Sequence, residues 1–98
     1  ELKEESKKVL QSFAEYLKEN PKMIIEIQGH TDNVGSATAN QALSSNRAFT
    51  VKATIESFGI EGDRIKAKGF GPTKPIAENS SETGRAKNRR TEFLIMEN

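Results

Sequence analysis

Two short runs in which apolar and polar side chains alternate, Met23 to Gly29 and Arg64 to Phe70, flank a longer run at helical spacing, Ala37 to Phe58. Alternation sends successive side chains to opposite faces and reads as a strand, whereas a 3.6-residue period reads as an amphipathic helix. Strand, helix and strand in that order make a βαβ unit, with parallel strands and a right-handed crossover. In the first strand Met23, Ile25 and Ile27 point one way, and Ile24, Glu26 and Gln28 the other. In the second, Ile65 and Ala67 point inward while Lys66 and Lys68 point outward. One apolar and one mixed face suit a sheet covered by helices on a single side.

The remaining segments fit around this unit. Residues 2 to 19 form an amphipathic helix with Leu2, Val9, Leu10, Phe13 and Leu17 on one face and Lys3, Lys7, Glu15 and Lys18 on the other. Its cationic bias is too small for a membrane-surface helix, so it is expected to pack on the sheet. Asn20-Pro21 stops it, because a residue before proline avoids the helical region. Ser36 is placed to cap the second helix and Gly59 to end it. Ile60 to Arg64 connects to the second strand. A long loop from Gly69 to Ser81 is punctuated by Pro72 and Pro75. Gly69 and Gly71 are not followed by the lysine of a phosphate loop and are taken as turn residues. Ser81 to Arg89 forms a short helical segment, and Thr91 to Met96 the last strand, with Phe93 and Ile95 on one face. The expected fold class is α/β (α+β), a two-layer sandwich in which a mixed sheet containing the βαβ unit carries helices on one face.

Ninety-eight residues suffice for one domain with one modest core. The formal net charge is +1 with both signs mixed along the chain, unlike the one-signed patch of a nucleic-acid binder. No cysteine is present, which removes disulfides and thiolate metal sites. No apolar run approaches the ~20 residues of a membrane-spanning helix. The chain begins mid-pattern at Glu1-Leu2-Lys3 and so reads as a single domain, residues 1–98, excised from a longer protein. Any targeting or anchoring segment is expected elsewhere in that protein.

Chemistry concentrates between Gly29 and Ile55. On a helical wheel with Leu43 at zero, Val51, Ile55 and Phe58 fall in an arc roughly 120° wide. Asn40, Ser44 and Arg47 fall in the same arc. A guanidinium inside an apolar stripe is costly unless its charge is paired, so Arg47 calls for a nearby carboxylate. Asp32, in the loop before the helix, is the candidate. The two residues form either an internal salt bridge or the two poles of a site for a zwitterion. In the second case Asp32 accepts from an ammonium and Arg47 grips a carboxylate with its two-pronged fork. Asn40 and Ser44 then line the walls.

Other constellations carry less. His30, Asp32 and Ser44 are the residue types of a hydrolase triad, but Ser44 lies within a helix and not on a sharp elbow, and no oxyanion hole is evident. His30 with Asp32 lacks the further ligands a metal site needs, and His30 is better read as a hydrogen-bonded residue closing the strand. The basic cluster from Arg85 to Arg90 is a solvated face, a set of partners for nearby glutamates, or the second wall of an anion pocket. It also supports an alternative function, an interaction domain for an acidic protein partner.

The spacing of these residues resembles the OmpA-like domain, the peptidoglycan-binding module of outer-membrane protein A, peptidoglycan-associated lipoprotein and the flagellar stator protein MotB. The matching residues are Thr31-Asp32, Leu43-Ser44, Arg47-Ala48 and Val51, with Ile55 where the family has leucine. Gly29-His30, Asn40, Gly59-Ile60, Arg64-Ile65, Gly69-Phe70-Gly71, Pro75-Ile76-Ala77, Asn79, Gly84-Arg85-Ala86 and Asn88-Arg89-Arg90 extend the likeness over essentially the whole chain. The resemblance implies non-catalytic binding of peptidoglycan at the diaminopimelate of its stem peptide, with no metal or cofactor. Asp32 would hold the ligand's ammonium and Arg47 a carboxylate, and Thr31, Asn40, Leu43 and Arg89 would complete the pocket. It also implies a periplasmic location, associated with the outer membrane of Gram-negative cells, and a role in tethering a membrane or membrane complex to the cell wall. Family members usually carry a strand before the first helix. This chain starts at that helix, so three strands and an exposed sheet edge open to pairing are expected.

Overall fold

A computed structural model describes residues 3–97. Its elements in chain order are α1 (Glu4–Glu19), β1 (Ile24–Gly29), α2 (Ala37–Ser57), β2 (Ile65–Gly69), α3 (Glu82–Asn88) and β3 (Thr91–Glu97), with one 3-10 turn, Gly62–Arg64, before β2. The three strands form one mixed sheet in the order β2-β1-β3. β1 and β2 run parallel, with Ile25 beside Ile65 and Gly29 beside Gly69. β3 returns antiparallel to β1, with Ile27 beside Phe93 and Gly29 beside Thr91. This is the α+β arrangement expected, with the crossover helix of the βαβ unit lying over β1 and β2.

The core lies between the sheet's inner face and the first two helices: Leu10, Ala14 and Leu17 from α1, Ile25 and Ile27 from β1, Ala48, Val51 and Ile55 from α2, and Ile65 from β2. Met23 is buried although it precedes β1. Arg64, read as the first residue of the second strand, instead ends the 3-10 turn. Its guanidinium donates to the carbonyls of Leu17, Asn20 and Met23 at 2.7, 2.7 and 3.2 Å. Those are carbonyls at or just beyond the end of α1, and the contacts supply partners that a helix terminus otherwise lacks.

Two of the apolar faces read from the sequence stay partly open. Phe93 and Ile95 do face the side of Ile27 and Ile25, yet Phe93, Leu94, Ile95 and Met96 all remain 41–50% exposed. β3 is an edge strand. β2 is an edge strand too, but α2 packs over it, whereas β3 packs extensively on β1 alone. Val9, placed by its period on the apolar face of α1, is exposed as well. It borders an open apolar groove of about 340 Å³ shared with Leu10, Val51 and Phe93. Phe13 partly closes that side by packing on Phe93, with ring centroids 4.9 Å apart. Leu2, also assigned to this face, lies outside the described residues.

Candidate functional site

The C-terminal ends of β1 and β2 meet the first turns of α2 unusually closely, and glycine permits it. A Cβ on Gly29 would overlap the Ser44 carbonyl, and one on Gly69 would overlap the Ser45 amide and the Ser44 hydroxyl. With the backbones in contact, side chains of α2 stitch the loops together. Ser44 Oγ donates to the Gln41 carbonyl and accepts from the Gly71 amide, both at 2.9 Å. Gln41 Nε2 donates to the Gly69 carbonyl at 2.6 Å. Ser44 is therefore a structural clamp. His30 bonds neither Ser44 nor Asp32, so no triad forms among these residues.

This contact also sets which face of α2 is buried. Asn40, Ser44, Ala48, Val51 and Ile55 are enclosed, a stripe centred about 100° from Leu43 on the wheel. Leu43 and Arg47 lie at its edge, Leu43 being 43% exposed and Arg47 exposed. The expectation that Arg47 sits within the apolar stripe and needs a carboxylate is thus corrected. Arg47 makes no hydrogen bond or ion pair with another described residue.

Asp32 is paired instead with Arg89. The loop from Gly29 to Gly35 turns back on itself around the Asp32 side chain, whose Oδ1 accepts from the Val34 amide at 3.0 Å, a local turn that aspartate favours. Thr31 Oγ1 donates to the Asp32 carbonyl at 2.8 Å, and Asn40 Nδ2 to the Val34 carbonyl at 2.9 Å. The other carboxylate oxygen, Oδ2, accepts from Arg89 Nη1 at 2.8 Å. Arg89 Nη2 donates to Glu82 Oε2 at 2.6 Å, and Glu82 Oε1 accepts from Arg85 Nε at 3.3 Å. Cations and anions therefore alternate along the row Arg85, Glu82, Arg89, Asp32. The Arg89 guanidinium and then the Val34 amide hold the Asp32 carboxyl below the usual carboxylate range. Arg89 does the same for Glu82.

The sequence offered Arg89 within the basic cluster as a partner for glutamates or a second wall of the pocket, and the resemblance singled it out, but neither showed what carries it. Asn88, fully buried, accepts from the amides of Ile76 and Ala77 at 2.8 and 3.1 Å. It also donates to the Ala77 carbonyl and to Asn79 Oδ1 at 3.0 and 2.8 Å. These bonds fasten the loop before α3 to its last turn, and Arg89 follows directly. Ser81 caps the other end of α3 by accepting from the Gly84 amide at 3.0 Å. The pairing of β1 with β3 then fixes the site's second wall, with the His30 amide donating to the Arg90 carbonyl at 2.9 Å.

His30 closes β1 by stacking, not by side-chain hydrogen bonds. Its ring lies 5.4 Å from that of Phe70 at 8°, and neither ring nitrogen bonds another described residue. Burial, followed by the nearby Arg90 charge, lowers its pKa. Among the described residues no group of three or more histidine, aspartate or glutamate side chains is placed to hold a metal ion.

The site thus offers one enclosed, ionised carboxylate braced by a guanidinium, and one free guanidinium on the exposed flank of α2. Such a set suits binding a charged or zwitterionic group. The sequence profile described as "OmpA family" matches residues 1–89. Outer membrane porin F of Pseudomonas aeruginosa is 39% identical over 95 residues, which is 96% of this chain and 27% of that protein. Peptidoglycan-binding protein ArfA of Mycobacterium bovis is 41% identical over 87 residues, 89% of this chain and 27% of that protein. The chain thus spans about a quarter of the length of these two relatives. The crystal structure of the peptidoglycan-associated lipoprotein from Burkholderia pseudomallei superposes with a TM-score of 0.91 at 33% identity, covering 97% of this chain and 80% of that one. The chain belongs to the OmpA family.

Proposed function

We propose that this domain grips the diaminopimelate of a peptidoglycan stem peptide, with Asp32 taking an ammonium and Arg47 a carboxylate. Thr31 and Asn40 hold the Asp32 loop in shape, Leu43 offers an apolar contact between the poles, and Arg89 braces the carboxylate. The observation that carries this reading is the contrast in how the two poles are engaged. Asp32 is kept ionised in a fixed loop, while Arg47 carries an uncommitted guanidinium. Asn40, Leu43 and Arg47 follow one flank of α2, so Arg47 lies ~10 Å along the axis from the Asp32 loop's clamp at Asn40. A helical side chain leans toward the helix N-terminus, which shortens that gap. A ligand with charged groups at both ends suits the interval.

Domains of this family are non-catalytic, and retention on the wall is the proposed outcome. Within a longer envelope protein the domain would tether an outer membrane or membrane complex to the cell wall from the periplasm. The alternative of an acidic protein partner at Arg85 to Arg90 has less support, because these guanidiniums are engaged within the chain. Arg85 bonds Glu82 and the Asn79 carbonyl, Arg89 bonds Asp32 and Glu82, and Arg90 bonds Glu92.

Co-sedimentation with purified diaminopimelate-type sacculi tests the reading. The wild-type domain should pellet with sacculi, and folded Asp32→Ala and Arg47→Ala variants should stay in the supernatant. Folded variants that still pellet like wild type would overturn it.

A further inference from the structure

We propose that Glu82 is a positioning residue for ligand binding: by holding one arm of Arg89 it limits that guanidinium to a single-armed contact with Asp32, leaving the carboxylate open to an incoming ammonium. The inference rests on the reading of Asp32 as the ammonium-binding pole.

The geometry points to it as follows. Arg89 spans two carboxylates, with Nη1 on Asp32 at 2.8 Å and Nη2 on Glu82 at 2.6 Å. A guanidinium with one carboxylate partner favours the two-pronged fork, in which both of that carboxylate's oxygens accept. Asp32 Oδ1 already accepts from the Val34 amide. A fork from Arg89 would therefore put a second donor on Oδ1, fill its acceptor sites and compete directly with a ligand ammonium. Glu82 prevents this by drawing the second nitrogen away. Glu82 is itself oriented, since its other oxygen accepts from Arg85 Nε, and Arg85 Nη1 donates to the Asn79 carbonyl at 3.0 Å. Its side chain is 66% exposed, so replacing it leaves the core intact. On ligand binding, Arg89 stays anchored on Glu82 while the ammonium enters at Asp32, and its guanidinium remains beside any carboxylate on the same ligand carbon. The unit recognised is the head of an α-amino acid, with ammonium and carboxylate on one carbon.

The test is a double-mutant cycle read by calorimetric titration with meso-diaminopimelate at fixed salt. Glu82→Ala and Glu82→Gln should each weaken binding about three- to fivefold. In an Arg89→Ala background the same changes should have almost no effect, because Glu82 acts through Arg89. A second readout needs no ligand. Carbon-13 NMR titration of the Asp32 carboxyl should give a lower midpoint in Glu82→Ala, as the fork closes on the carboxylate. Unchanged affinity in both Glu82 variants, an equal loss with or without Arg89, or an unmoved or raised Asp32 midpoint would overturn the proposal while leaving the site assignment standing. Failure of the wild-type domain to bind meso-diaminopimelate would overturn the site assignment, and this inference with it.

Discussion

Asp32 and Arg47 are held in opposite ways. Asp32 is 8% exposed, with both carboxylate oxygens engaged and its loop pinned by Thr31 and Asn40. Arg47 stands on the outer flank of α2 with no partner among the described residues. In the proposed site one pole is ordered by folding, and the other would be ordered by the ligand, at a cost of up to ~2 kcal/mol in side-chain freedom. Damage to the first pole should therefore reach both stability and binding, and damage to the second should reach binding alone.

The comparison breaks most severely from behind the first pole. Asn88→Ala removes four hydrogen bonds from a buried amide and leaves loop amides and a carbonyl without partners. A loss of about 3 kcal/mol in urea unfolding is expected, accompanied by weaker ligand binding as Arg89 loses its support. Asp32→Ala comes next. It should cut affinity for meso-diaminopimelate about a hundredfold and also lower the thermal midpoint, since Val34 and Arg89 both lose an acceptor. Arg47→Ala should cost about tenfold in affinity while unfolding within about 0.5 kcal/mol of wild type. A destabilisation as large as that of Asp32→Ala would show that Arg47 carries a structural contact and erase the contrast.

The smallest effect is on pH. His30 has a lowered pKa in the folded state, so the unfolded chain binds the proton more readily. Its contribution to stability is complete above about 6.5, the unperturbed value, and is lost as pH falls from there through the lowered value. The groups around it are Arg90, Lys74 and Glu92. Melting temperature should decline modestly from pH 7 to pH 5, and His30→Phe should flatten that limb. The contributions of Asp32, Glu82 and Glu92 run in the same sense at lower pH. Their folded pKa values are depressed, so the stability they add is complete above the ordinary carboxylate range and is lost as pH falls through the lowered values. Asp32→Asn should remove part of this acid limb without touching the His30 step.

The elements themselves were legible because each follows a local period: alternation over Ile24 to Gly29, helical spacing over Ala37 to Ser57, a proline stop after Asn20. What was not legible depends on distant neighbours. The partner of Asp32 lies 57 residues away, across a strand return that local spacing does not report. Arg47 was misplaced because a wheel weighted by large apolar residues centres the buried stripe too near Leu43. The true centre lies at Ser44, a small residue that matters because Gly29 and Gly69 let the helix approach the strands. Phe93 and Ile95 carry the right alternation but lack a covering neighbour, which a strand pattern cannot foresee.

The central claim, that Asp32 and Arg47 form the two poles of a diaminopimelate site, meets its most direct test in a calorimetric or NMR titration with meso-diaminopimelate run beside lysine. Lysine lacks only the carboxylate at the far end. Binding of diaminopimelate and not of lysine, lost in both Asp32→Ala and Arg47→Ala, is the expected result. Binding of neither by a folded domain, or equal binding of both, would contradict it.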